Sequence, residues 1–424
     1  MAQVDDGLSA LIANNMEADL VGCVIVNYRS PWDMLGCCLD SIFAECTEIP
    51  CKVCLVDNAS GDGVIDLVRA EYPAVNIIEM PENAGFAAAV NRGLREIEEP
   101  YVLMLNTDAV LTAGSLSRLV EAMDEAGADT AGIAPKMMSS AHKGVIDGIG
   151  IIVPPSGAAF NRGIGQCDLG QYDSSDEVAG LCFGAGLLRR DLFDTSKVGP
   201  LYEGYFLYFE DSDWCMRAVS QGYRFLTAPD AVVLHMHSGI TRNESLDFKY
   251  GLIELNTLKM VTRTLESPLR VLLIVKLRCL RLLARTFIRR KFIGPNLRTI
   301  ASYMAALPQL LRERRDLKKK RIVPDSKIFG MAAGENAYFD TVSYRPDHCI
   351  DSLIDTCQKL LAANHDPESG KLLAALYRLN HQLSKGKVDG EIPLIDPDTM
   401  KLFSLQPPCV RDLLQSAGVV NQSP

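Results

Sequence analysis

From Leu20 to about residue 126, short apolar runs alternate with amphipathic stretches, and no other feature of this chain restricts its fold so tightly. Residues 21–26, 53–56, 75–78 and 101–105 read as buried strands, with helices expected over 35–44, 64–70, 84–98 and 115–126. Strands separated by helices need crossover connections, and such crossovers build a largely parallel sheet covered on both faces. The expected class is therefore α/β. Residues 144–177 are rich in Gly and Pro and lack periodicity, which predicts loops and short strands. Order returns at 181–188, followed by a helix over 213–221 closed by Gly222 and a last strand at 231–234.

The ends of the predicted strands carry the chemistry. They run into Asn27-Tyr28, Asp57-Asn58-Ala59-Ser60, Asn83-Ala84-Gly85-Phe86 and Asn106-Thr107-Asp108. Any one of these is equally a turn or a helix N-cap, because Asn, Asp and Ser favour both. Four in succession at one sheet edge is the pattern of a ligand site beyond the carboxyl ends of the strands. A carboxylate at Asp57 can accept hydrogen bonds from a base or ribose, and Gly85 permits close backbone approach ahead of a helix N-terminus that favours negative charge. Asp108 offers a hard oxygen ligand for Mg2+ or Mn2+ beside a diphosphate. Neither GxGxxG nor GxxxxGK[ST] occurs, which disfavours a dinucleotide fold or a P-loop.

Two further clusters stand out. Glu210-Asp211-Ser212-Asp213 follows the aromatic run Tyr205–Phe209 and begins a helix. A carboxylate there reads either as a cap or as a general base held ionised by the helix terminus. The strand at 231–234 runs into His235-Met236-His237, and period-two alternation puts both imidazoles on one side. Either could complete a metal site with Asp108, or be a satisfied structural histidine. Thirteen cysteines, an odd number, suit reduced thiols rather than a disulfide frame. Cys51 and Cys54 form a CxxC without a partner pair, so buried thiols are favoured over zinc.

At 424 residues the chain exceeds what one core usually organises. The expected division is an extension at 1–19, a catalytic domain at 20–260, a basic helical segment at 261–324 and a mainly helical region at 325–424 without assigned chemistry. Residues 262–321 hold 17 Lys/Arg against 3 Asp/Glu, in a chain of net charge −10. Interleaved with Leu, Ile and Val, those cations suit an anionic membrane surface or a solvated helical face. The lack of an aromatic platform disfavours nucleic acid. The acidic N-terminus lacks signal-peptide character and no run of apolar residues would span a bilayer, so a cytoplasmic protein is expected, with peripheral attachment to the inner membrane face as an extension.

These residues resemble family 2 glycosyltransferases, in particular the bacterial rhamnosyltransferase-like branch. The matching segments are VIVNYRS (24–30), VDNASGDG (56–63), NAGFAAAVNRGL (83–94), LNTDAVL (105–111), NRGIGQCDLGQYD (161–173), FGAGLLRRDLF (183–193), GYFLYFEDSDWCMRA (204–218) and LHMHSG (234–239). IELNTLKM (253–260) looks like the family's Arg-Asn helix with Leu255 in place of the arginine, and Leu201-Tyr202-Glu203 stands where Phe-Asp-Glu is usual. The resemblance implies a GT-A nucleotide-diphospho-sugar transferase fold with a helical C-terminal extension, and inverting transfer from a dTDP- or UDP-sugar to a glycan or lipid-linked acceptor. Asn27, Tyr28, Asp57, Asn83, Gly85, Phe86, Asn91, Asn106 and Asp108 would bind the donor. Asp108 would also ligate Mg2+ or Mn2+, with Asn106 at the first position of the Asp-x-Asp motif. His235, or His237 as the alternative, would reach the same ion, and Asp211 would be the catalytic base beside Glu210. The competing readings are a catalytically silent binding or scaffold protein and a sugar-nucleotide synthesising enzyme. The second would want a Gly-rich, Arg-containing first turn where this chain has Asn27-Tyr28-Arg29-Ser30.

Overall fold

The computed structural model describes residues 20–140, 145–164, 168, 170, 172–236, 246–288 and 293–332. The expected alternation is there: β1 (Val21–Asn27), α1 (Trp32–Glu45), β2 (Cys51–Asp57), α2 (Val64–Glu71), β3 (Asn76–Glu79), α3 (Phe86–Leu94), β4 (Tyr101–Leu105), β5 (Ala109–Leu111), α4 (Ser115–Glu125) and β6 (Thr130–Ser139). Four short strands follow: β7 (Ile146–Gly148), β8 (Ile151–Ile152), β9 (Phe160–Asn161) and β10 (Glu177–Val178). The chain then forms β11 (Ala185–Arg189), α5 (Glu210–Ser220) and β12 (Arg224–His235). Helices α6 (Leu246–Thr264), α7 (Pro268–Ile288), α8 (Ile293–Lys320) and α9 (Asp325–Gly330) complete the described chain.

The main sheet runs β10-β12-β6-β11-β4-β1-β2-β3, with β5 on β12 and β7 on β6. Strands β3, β2, β1 and β4 are parallel, whereas β11 enters antiparallel between β4 and β6. The sheet is thus more mixed than the alternation alone predicts, because the excursion through 145–183 returns the chain in the opposite direction. Chain order reverses between β1 and β4, and in open α/β sheets ligands bind at such a switch point, outside the carboxyl ends of the strands.

Every residue of β1 is buried, as expected of a parallel strand covered on both faces. Its side chains alternate between two cores: Val24 and Val26 join one, Cys23 and Ile25 the other. Helices α1, α2 and α4 cover the Cys23 face, while α3, α5 and the C-terminal helices cover the Val24 face. Gly93 lets α3 close on the sheet, since a Cβ there would lie 2.8 Å from Val24 Cγ1 and 3.0 Å from Val56 Cγ2. The domain boundary expected near 260 falls inside the continuous helix α6. Met260, Val261, Leu265, Ile274 and Phe329 lie in the same core as Val24. No helix among the described residues is long and apolar enough to cross a membrane.

Candidate active site

The carboxyl ends of β1, β2 and β4 are tied together by side chains. Asn27 is fully buried; its Nδ2 donates to Asp57 Oδ1 at 2.8 Å and to Ser60 Oγ at 3.1 Å. Asp57 also accepts from the Ser60 backbone N–H at 3.0 Å and from the Ser60 hydroxyl at 2.5 Å. Arg29, left-handed at φ 54°, donates its backbone N–H to Ser60 Oγ, and its guanidinium lies 5.3 Å from the centre of the half-buried Tyr28 ring. Ser30 bridges the switch point, with its hydroxyl 2.7 Å from that of Thr107 and its N–H bonded to Asn27 Oδ1. Asn27 therefore orients Asp57, and the chain of bonds reaches the tip of β4.

The turn before α3 is held from two directions. Asn58 Nδ2 donates to Asn83 Oδ1 at 2.9 Å, and Asn58 Oδ1 accepts from the Ala84 N–H. Phe86 N–H donates to Phe206 O at 2.8 Å, joining this turn to the aromatic run ahead of α5. Gly85 is obligatory, since its φ is +86° and a Cβ would stand 2.4 Å from Phe206 O. Asn91 behaves differently from its neighbours. Its Nδ2 donates to Leu201 O and Glu203 Oε1, and its Oδ1 accepts from Leu201 N–H, so the amide is committed to the 201–203 loop rather than offered to a ligand.

Asp211 opens α5, and the segment leading into β11 carries it to the tip of β4. Phe183 N–H lies 3.5 Å from Asp211 Oδ2, while Asn106 N–H donates to Gly184 O at 2.9 Å. Ser212 supplies its N–H and hydroxyl to Asp211 Oδ1. Burial pushes the Asp211 carboxyl above the ordinary carboxylate value, against the hydrogen bonds from Ser212 and Phe183. Helix-terminus stabilisation is therefore outweighed by desolvation in the free protein. Glu210 is also raised, to about 8, by burial and by the charge of Asp211, and among the described residues its Oε2 has no hydrogen-bond partner. Asp213 belongs elsewhere: fully buried, it pairs with Arg217 and Arg263 and accepts from Tyr205.

The turn that aims Asp211 is strained, because Tyr208 and Phe209 both adopt left-handed backbone at φ 70° and 75°. Asn256 of α6, fully buried, donates from Nδ2 to Leu207 O at 2.8 Å and Tyr208 O at 2.9 Å and so holds the turn. Sequence reasoning quoted the helix of Asn256 without giving it this task.

The metal expectation rests on Asp108 and His235. Strand β5 pairs Ala109 with His235, and Met236 N–H donates to Asp108 O, so the two side chains are neighbours. His235 Nε2 lies 3.2 Å from Asp108 Oδ1, and Nδ1 lies 2.7 Å from Asp147 Oδ2. Burial would lower the imidazole pKa, but hydrogen bonds and charge from both carboxylates outweigh it and push it up to about 10. Among the described residues no three His, Cys, Asp or Glu form a ready-made cage. Mg2+ and Mn2+ sites built with substrate phosphates need only one or two carboxylates, and a carboxylate behind the histidine is the usual way to orient such a ligand. Asp108 and His235, with Asp147 behind them, fit that donor set. His237 lies outside the described residues. Sequence reasoning missed Asp147, whose signal was a lone acid in the apolar run Val145-Ile146-Asp147-Gly148-Ile149.

A separate groove lined by Asn91, Arg95, Arg190, Tyr202 and Glu203 continues toward the start of β4, at the opposite edge from this chemistry. None of the nine described cysteines, Cys51 and Cys54 included, forms a disulfide among the described residues.

Residues 23–195 match the glycosyl transferase family 2 model. An N-acetylglucosaminyl-diphospho-decaprenol L-rhamnosyltransferase of Mycobacterium tuberculosis is 30% identical over 244 residues, spanning 51% of this chain and 76% of the relative. The succinoglycan biosynthesis protein ExoU of Rhizobium meliloti is 23% identical over 265 residues, spanning 59% of this chain and 70% of that protein. A mannosyltransferase from Pyrobaculum calidifontis in complex with GDP-Man and Mn2+ is similar in structure at a TM-score of 0.39 and 16% identity, over 88% of this chain and 89% of that one. So distant a likeness carries no inference about ligands.

Proposed function

This chain belongs to glycosyltransferase family 2, and from that premise we propose that it transfers a sugar, with inversion, from a nucleoside-diphosphate donor to an acceptor hydroxyl. The observation that carries this reading is the bonded path from Asp57 through Asn27, Ser30 and the tip of β4 to the backbone beside Asp211. Residues about 150 positions apart in sequence are thereby linked at one edge of the sheet, which supports a displacement with a donor on one side and a base on the other.

Asp57, Tyr28 and the Asn83–Phe86 turn hold the nucleotide, with Asn27 and Asn58 orienting them. Asp108 and His235 would hold a divalent cation, Mg2+ or Mn2+, which when bound would neutralise charge on the diphosphate. Asp211 takes the proton from the acceptor hydroxyl as its oxygen attacks the anomeric carbon. The sugar–phosphate bond breaks with its electron pair leaving on the nucleoside diphosphate. The N-terminus of α3 faces that developing charge. Burial and the neighbouring Asp211 charge both favour the protonated form of Glu210.

Likeness to the mycobacterial relative, an N-acetylglucosaminyl-diphospho-decaprenol L-rhamnosyltransferase, supports a rhamnosyl group and a lipid-linked acceptor; to these we add a dTDP- or UDP-linked donor and a role in cell-envelope polysaccharide synthesis. With such an acceptor the enzyme would work from the cytoplasmic side, attached peripherally to the membrane. The test is turnover of a nucleotide-sugar panel with and without Mn2+, by the native chain and by Asp211→Asn. Asp211→Asn is expected to lose about 100- to 10,000-fold in kcat, the span of general-base contributions, with donor affinity nearly unchanged. Full turnover in the variant would remove Asp211 from the mechanism, and silence of the native chain with every donor would sink the transfer reading.

A further inference from the structure

Helix α7 faces the protein with one side only. Ile274 and Leu282 are buried, and Arg278 meets the buried Glu254 of α6 at 2.9 Å. On the other side Leu269, Leu272, Leu273, Leu277, Leu280 and Leu283 are 38–76% exposed. Their spacing (i, i+3, i+4, i+8, i+11, i+14) puts them on one outward stripe. An exposed apolar face of this length on a folded chain marks a contact surface.

The charges indicate what it contacts. The helix PLRVLLIVKLRCLRLLARTFI carries no acid, although the chain as a whole has a net charge of −10. Arg270 and Lys276 are exposed beside or within the leucine stripe, and Arg281, also exposed, is paired with Glu254. A second copy docked face to face would bring these cations together in an apolar interface, which costs rather than stabilises. Five cations in 21 residues also bar the helix from spanning a bilayer. Leucines at the acyl boundary with cations among anionic headgroups satisfy both features together.

We propose that the outward leucine face of α7 docks this enzyme on an anionic lipid surface. The purpose of docking rests on the lipid-linked acceptor reading above, but the docking itself does not. The site is fastened to the same frame: Glu254 pairs with Arg278 and Arg281, and two residues further along α6 Asn256 holds the turn that aims Asp211. A docked α7 therefore sets the orientation of the crevice relative to the bilayer.

The test is co-sedimentation of the full chain with vesicles of phosphatidylcholine alone or with about 30% phosphatidylglycerol, read without turnover so that docking and catalysis can fail separately. The native chain is expected to bind the anionic vesicles at least about tenfold better, with the preference collapsing at high salt. Leu272→Gln/Leu277→Gln/Leu280→Gln should lose about tenfold or more of that binding while Tm and donor hydrolysis stay unchanged. Lys276→Glu, which leaves the leucines intact, should reduce the preference for anionic over neutral vesicles. The proposal is overturned if the native chain sediments with neither vesicle, or if the triple variant binds as well as native. It is equally overturned if the triple substitution lowers Tm, which would mean that the face is covered within the folded chain. Loss of a native dimer in that variant without vesicle binding would assign the face to a second copy.

Discussion

Asp211 and Asp213 sit two residues apart on one helix and do opposite work. Asp213 is fully buried between Arg217 and Arg263, so Asp213→Asn should cost roughly 3–5 kcal/mol, the usual penalty for stranding buried cations; a denaturant midpoint near native would refute that. Asp211 is half-buried at the start of the helix, and burial raises its carboxyl. A base must be deprotonated, so kcat/KM should fall as pH drops through a value above the ordinary 3.8. An acid limb at or below 3.8 in a pH–rate profile would contradict the environment described. Glu210 has its own signature. Its folded value of about 8 exceeds the ordinary 4.5, so the folded state keeps the proton longer and stability declines as pH rises between the two. Glu210→Gln should flatten that decline in chemical denaturation curves compared across the window. Asn256 is a positioning residue. Asn256→Asp sets a carboxylate against two carbonyls and should lower kcat with little change in donor KM, and an equal change in both would assign it a binding role.

At the scale of elements, the donor turn and the base turn share a backbone contact. Gly85→Ala has nowhere to put its methyl except against Phe206 O, and its φ is left-handed. We expect roughly 1–3 kcal/mol of lost stability together with weaker donor binding, measured by thermal melting and calorimetry; native affinity would show the turn is not a donor contact. The strands that sequence reading left out are instructive. Strand β6 contains Gly132, Pro135 and Lys136, all of which argue against a central strand. It forms because β12 bulges opposite Pro135 and Lys136, where the register jumps between Ala228 and Val232. Strand β5 has only three residues, too few for a period to emerge, yet its pairing with β12 sets Asp108 beside His235.

For the molecule as a whole, the basic helices are fastened to the catalytic sheet by core packing and by ion pairs. Arg263 of α6 reaches Asp213 of α5 and Glu313 of α8, and Ile328 and Phe329 of α9 join the core shared with β1. We therefore expect residues 20–332 to unfold in one cooperative transition by calorimetry, since separating the helical layer would expose Arg217, Asp213 and Arg263 at once. Two resolved transitions, one assignable to the helices alone, would show the layers to be independent.

Sequence by itself determined the alternating strands and helices, the polar strand ends and the acid-rich start of α5, because periodicity and turn chemistry are local properties of neighbouring residues. The same locality explains why Asn27, Asp57, Asp108 and His235 stand out as candidates at strand ends, whereas the choice of Asp211 within its acid cluster is what the family resemblance implies. Tertiary structure alone decided their partnerships. Asp147 behind His235, Asn256 beneath a left-handed turn and Asn91 spent on a distant loop all depend on contacts across long stretches of chain, which no spacing encodes. It also decided which side of α7 faces outward, since a basic and apolar helix reads the same in sequence until one of its faces is covered.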